Sequence, residues 1–115
     1  MIGYKPSLPH LDTNMRKAIV DRVLASVGAE KIVLFGSRAR EAHRPDSDVD
    51  LLVVQHSNKP RYKRAVPIYA ALVGLPIDVN TDVIVYTPEE IEQWSQARAA
   101  FVTTALREGV VLYER

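Results

Sequence analysis

Asp48 and Asp50 stand two residues apart at the head of the run Asp48-Val49-Asp50-Leu51-Leu52-Val53-Val54. A short, continuous apolar run of this kind reads as a buried strand. On a strand, residues i and i+2 share a face, roughly 6.5 Å apart along the chain. Two carboxylates so placed repel each other unless a cation lies between them. Magnesium takes hard oxygen ligands, commonly one or two protein carboxylates completed by phosphate oxygens. The spacing therefore suits metal-assisted phosphate chemistry. It also suits an ordinary turn, since Pro45-Asp46-Ser47 is itself a turn signal, so the pair alone does not decide.

What precedes the pair adds weight to the chemical reading. Ile32, Val33, Leu34 and Phe35 form another short apolar run, stopped by Gly36 and Ser37. Glycine admits an unusual φ or a close approach of other groups to the backbone. Serine offers a hydroxyl and a backbone N–H at a candidate helix start, which is a natural anion site. The stretch thus pairs a phosphate-holding turn with a metal-holding strand.

Gly36-Ser37, ten residues, then Asp48-Val49-Asp50 resembles the G-S-x10-D-x-D signature of the DNA polymerase β-like nucleotidyltransferase superfamily. Gly36-Ser37-Arg38-Ala39-Arg40 with Ser47-Asp48-Val49-Asp50-Leu51 resembles its smallest prokaryotic branch, the minimal nucleotidyltransferases. The resemblance runs from about Leu11 to the C-terminus, including the ending Gly-Val-Val-Leu-Tyr-Glu. It departs at Glu41, where many relatives carry glycine, which leaves the loop geometry open.

The resemblance implies a third carboxylate on a neighbouring strand. Asp82, opening Asp-Val-Ile-Val-Tyr-Thr-Pro-Glu-Glu, matches that strand, with Asp78 the alternative four residues earlier. Asp48, Asp50 and Asp82 would be the catalytic carboxylates and the ligands of two Mg²⁺ ions. Gly36, Ser37, Arg38 and Arg40 would bind the nucleotide, with the arginines compensating triphosphate charge or simply lying in a solvated loop. The implied substrate is ATP. The implied activity is transfer of AMP to a hydroxyl of a partner, a tyrosine of an HEPN-domain toxin, which makes the chain an antitoxin by protein adenylylation. Two other readings stay open: a non-catalytic antitoxin that masks its partner, and a nucleotidyltransferase acting on a small, aminoglycoside-like molecule.

The elements that must position these groups are legible in outline. Residues 1–10, with Gly3, Pro6 and Pro9, read as an irregular N-terminal arm, and 11–115 as the nucleotidyltransferase domain. Asp12 and Thr13 are helix caps, Met15, Ile19 and Val23 recur at helical spacing, widened by Val20, Leu24 and Val27, and Gly28 is a stop. Arg16, Lys17, Asp21 and Arg22 read as the solvated face of that helix. Lys59, Arg61, Lys63 and Arg64 form a basic run around Tyr62. It reads as the solvated first turn of a helix through Ala65, Ile68, Tyr69 and Leu72, or as a contact for an acidic partner, a nucleic acid or a phosphate. Pro67 predicts that this helix starts late or is kinked. Thr87-Pro88-Glu89-Glu90 is a capping-box start for an apolar stripe through Ile91, Trp94, Ala97, Phe101 and Ala105 that Gly109 ends. Val110 to Tyr113 is a last short strand. The order predicts an α/β (α+β) fold, one small domain with a mixed β-sheet flanked by helices.

Composition bounds the remainder. With 115 residues, 47% of them hydrophobic and 25% charged, the chain reads as one domain with one core. A formal net charge of +1 argues against a strongly basic nucleic-acid coat, so nucleic acid is not expected as the main partner. There is no cysteine, which excludes disulfides and thiolate metal sites and is compatible with a cytoplasmic location. Neither a signal-peptide pattern nor a run of about 18 apolar residues is expected. His10, His43 and His56 are too scattered to form a recognisable constellation.

Overall fold

The computed structural model describes residues 13–36, 48–75, 80–94 and 100–115, without the side chains of Trp94 and of 100–103. Among the described residues nine elements follow in order: α1 Thr13–Ser26, β1 Ala29–Phe35, β2 Val49–Gln55, α2 Arg61–Arg64, α3 Val66–Leu72, β3 Thr81–Tyr86, α4 Pro88–Trp94, α5 Ala100–Glu108 and β4 Val110–Glu114. The strands form one sheet in the order β3-β2-β1-β4. β1 runs antiparallel to β2 and to β4, whereas β2 and β3 are parallel. The sheet is therefore mixed, as the sequence predicts. The parallel pair requires a crossover, and α2 and α3 lie within it.

Both faces of the sheet are covered, which explains why β1 and β2 read as unbroken apolar runs. On one face, Ile32, Leu34, Leu51, Val53 and Val85 pack with Ile19 and Val23 of α1 and Ile68 and Leu72 of α3. Ile19 and Val23 are fully buried, with Met15, Val20, Leu24 and Val27 flanking them. The helical stripe from 15 to 27 thus does what its spacing implies. On the other face, Val33, Leu52 and Tyr86 pack with Ala105 of α5, supported by Phe35, Ile84, Ile91 and Leu106. By strand alternation, Asp50 and Asp82 belong to this second, smaller face, and Asp48 stands one residue before β2.

The helix expected after the basic run is two helices. Ala65, in the right-handed region at φ −83° and ψ −12°, closes α2 and caps α3. Pro67 falls in the first turn of α3, where its missing N–H has no intrahelical partner to lose. Arg64 differs from the sequence expectation of a solvated residue: it is 8% exposed. Its Nε donates to Lys59 O (2.9 Å), its Nη1 to Val85 O (3.3 Å) and Glu90 Oε1 (2.7 Å), and its Nη2 to Glu90 Oε2 (3.2 Å). Glu90 completes the expected capping box. Its Oε1 accepts the Thr87 N–H (3.0 Å) while Thr87 Oγ1 accepts the Glu90 N–H (3.1 Å). One guanidinium therefore ties α2, the end of β3 and the start of α4 together. Arg22, also read as solvated, is exposed but donates through Nη1 to Ala71 O (2.8 Å) and Val73 O (2.9 Å). It satisfies carbonyls at the end of α3 and fastens that helix to α1.

The stripe from Ile91 to Ala105 is carried by α4 and α5, and residues 95–99 between them lie outside the described residues. Among the described residues no helix is long and apolar enough to cross a membrane.

Candidate active site

Three chain segments meet where β1 ends and β2 and β3 begin. Phe35, the last residue of β1, pairs with Asp50 on β2, and Asp50 pairs in turn with Asp82 on β3. Parallel pairing starts at the first residues of both strands, with Val49 opposite Thr81, and the Val49 N–H donates to Asn80 O at 2.9 Å. This register sets the carboxylates of Asp50 and Asp82 side by side on one face. Asp48 stands at the mouth of β2, one residue before the strand.

Gly36 closes the site from the β1 side. Its φ is +75°, in the left-handed region that a Cβ disfavours. A Cβ built there would also overlap Asp50 Oδ2. The turn is therefore glycine for two independent reasons, and the second bears on the chemistry: the backbone of Gly36 lies against the Asp50 carboxylate.

Burial pushes the Asp50 carboxyl above its ordinary value of 3.8, helped by the negative charges of Asp82 and Asp48 and by a hydrogen bond with Asp82. Asp48 and Asp82 are exposed, Asp50 half-buried. A like-charged cluster with one carboxylate partly withdrawn from water is short of positive charge. The donor set consists only of hard oxygens, which is what a magnesium-type ion takes. On that chemistry the three aspartates fit a divalent cation. Among the described residues, however, no group of three or more His, Cys, Asp or Glu side chains stands close enough together to hold a metal ion as it is. The contact is between Asp50 and Asp82, with Asp48 acting through its charge.

Ser37, Arg38, Arg40 and the alternative carboxylate Asp78 lie outside the described residues, as do His10 and His43. His56 follows the far end of β2, with Nε2 3.0 Å from Glu30 Oε2 and Nδ1 3.6 Å from Glu89 Oε2. It is remote from Asp48 and Asp50, which stand at the opposite end of that strand.

One residue beside the site had no signal in the sequence. Tyr69 Oη of α3 accepts the Val83 N–H at 2.8 Å. β3 is an edge strand, and this contact caps an outward N–H on the residue next to Asp82. An edge strand otherwise offers such groups to any passing strand.

A family model described as nucleotidyltransferase domain matches residues 14–108. A solved structure from Sulfolobus solfataricus, provisionally described as a nucleotidyltransferase, superposes with a TM-score of 0.63 at 24% identity, covering 100% of this chain and 94% of that one. At that identity the likeness speaks for the fold. No curated protein matches the chain.

Proposed function

Because this chain belongs to the nucleotidyltransferase domain family, we propose that it moves AMP from ATP to a tyrosine hydroxyl of a partner protein, an HEPN-domain toxin, and silences that partner. The observation that carries the transfer is the paired Asp50 and Asp82 beside Asp48, set against a glycine turn that any side chain would strain. The partner and its tyrosine rest on the sequence resemblance alone.

Asp48, Asp50 and Asp82 are the residues that would hold magnesium. Bound there, magnesium would neutralise the carboxylates and the triphosphate and ease ionisation of the acceptor hydroxyl. In the transfer, the acceptor oxygen forms a bond to the α-phosphorus, the bond from that phosphorus to the oxygen bridging it to the β-phosphate breaks, and pyrophosphate leaves. Asp82, whose carboxylate is exposed, would help take the hydroxyl proton. Gly36, without a side chain, leaves the backbone open to the phosphates, and Ser37 is expected to hydrogen-bond them.

Intact-mass measurement tests this. The protein is mixed with the HEPN-type partner, ATP and Mg²⁺, against an Asp48→Asn/Asp50→Asn control. Addition of AMP units to the partner, only with the aspartates intact, is the expected result. A stable complex without added mass points to masking. Neither mass nor complex leads to a screen of small-molecule hydroxyl acceptors. Transfer retained by a folded double variant overturns the carboxylate assignment.

A further inference from the structure

Four of the five large apolar side chains that stand exposed among the described residues fall within one stretch of twelve: Tyr62 at 78%, Val66 at 61%, Tyr69 at 41% and Val73 at 74%. They sit at spacings of four, three and four, the repeat of a helix–helix seam. The path stays helical across the break between α2 and α3, since Ala65 is right-handed and accepts the Tyr69 N–H at 2.9 Å. The opposite side of α3, Ile68 and Leu72, is buried in the core.

Charge identifies what suits this stripe. No Asp or Glu occurs between Leu51 and Ile77. Arg61 and Arg64 are both within salt-bridge reach of Glu90. Lys59 and Lys63, by contrast, make no ion pair among the described residues, and Lys63 Nζ lies 5.9 Å over the Tyr62 ring. Arg22 brings a further cation to the Val73 end through its bond to Val73 O. With cations at both ends, a second copy laid on this face in either direction meets like charge, whereas an acid-flanked helix meets opposite charge. An apolar seam at helical spacing also suits a helix better than a nucleic acid, which would use the cations and leave the two valines idle.

We propose that the stripe from Tyr62 to Val73 is the docking surface for an amphipathic helix with acidic flanks on a partner protein. On the functional reading above, that partner is the one carrying the acceptor hydroxyl. The surface lies on the α1 and α3 side of the sheet, opposite the face that carries the carboxylates, and reaches their edge strand where Tyr69 accepts the Val83 N–H next to Asp82. A helix seated there holds its protein at the β3 edge, the strand that carries Asp82.

The test uses a fluorescein-labelled acidic heptad peptide of about 21 residues, with leucine at a and d and glutamate at the other positions. A lysine counterpart and an oligothymidylate of comparable length serve as competitors, and binding is read by anisotropy and mapped by amide chemical shifts. The acidic peptide is expected to bind, to shift residues 59–73, and to bind at least about tenfold more weakly to Val66→Asp and to Lys63→Glu. Val66 is exposed at the first position of α3, where aspartate suits a helix start, so the fold survives the change. No binding at millimolar peptide, shifts elsewhere, or equal binding of the lysine peptide overturns the proposal. Tighter binding of the oligothymidylate at the same residues reassigns the surface to nucleic acid. Concentration-dependent shifts of 59–73 without peptide reassign it to a second copy. Peptide binding with no AMP transfer to the partner refutes the functional reading and leaves the surface standing; transfer without peptide binding does the reverse.

Discussion

Replacing Gly36 with alanine separates the geometric claim about the site from any assumption about substrate. The left-handed φ of +75° costs an L-residue about 1–2 kcal/mol. The added methyl also meets Asp50 Oδ2, so the carboxylate must rotate or the turn must shift, at about 1 kcal/mol more. The sum, about 2–3 kcal/mol, corresponds to a fall in Tm of about 8–12 °C for a domain of this size. Urea and thermal unfolding of the wild type, Gly36→Ala, Asp50→Ala and the double variant close a cycle. With Asp50 shortened to alanine the collision disappears and only the backbone cost remains, so a coupling of about 1 kcal/mol is expected. Since moving a reacting group by about 1 Å can cost on the order of 10²-fold in rate, Gly36→Ala should lose transfer well beyond its loss of stability. Equal cost in both backgrounds, or a Gly36→Ala protein as stable as wild type, would refute the placement of the carboxylate against the turn.

Asp50→Asn is expected to raise neutral Tm while removing activity. A carboxyl whose folded pKa is raised contributes stability below its unfolded value and loses it as pH rises through the folded one, so the gain should vanish in acid; melts across pH read this, and Mg²⁺ should raise wild-type Tm more than that of the variant. Glu90 behaves oppositely. Its hydrogen bond to Arg64 holds its carboxyl below the ordinary 4.5, despite partial burial, so its stabilisation is present at neutral pH and lost as pH falls through the folded pKa. Glu90→Gln should therefore be destabilised at pH 7 and converge on wild type in acid. Arg64→Ala is expected to cost about 3 kcal/mol by denaturant unfolding, and the same loss in a Glu90→Gln background would deny the coupling. Tyr69→Phe should cost about 1 kcal/mol and speed hydrogen exchange of the Val83 amide; unchanged exchange would deny the cap on β3.

Local order was legible in the residues themselves. The α1 stripe, the Thr87–Glu90 box and the glycine stop before the D-x-D strand each depend on side chains within a turn or two of one another, so spacing alone carries them. Asp50 likewise takes its face by strand alternation, while Asp48 stands one residue before β2. The place of Asp82 was not of that kind. It depends on the register of β3 against β2, set by pairing across a crossover of more than twenty residues, which lays Asp82 beside Asp50, while the alternative Asp78 lies outside the described residues.

Tertiary packing alone also decided the fate of the basic run. Lys59, Arg61, Lys63 and Arg64 are alike in sequence, yet only Arg64 turns inward, because Glu90 and the Val85 carbonyl converge there from β3 and α4. Arg22 became a tie between helices only once α3 ended beside α1. The exposure of Tyr62, Val66 and Val73 likewise depended on which side of α3 met the sheet. An apolar residue carries the same transfer energy wherever it stands in the chain, and what covers it is settled only when distant segments pack.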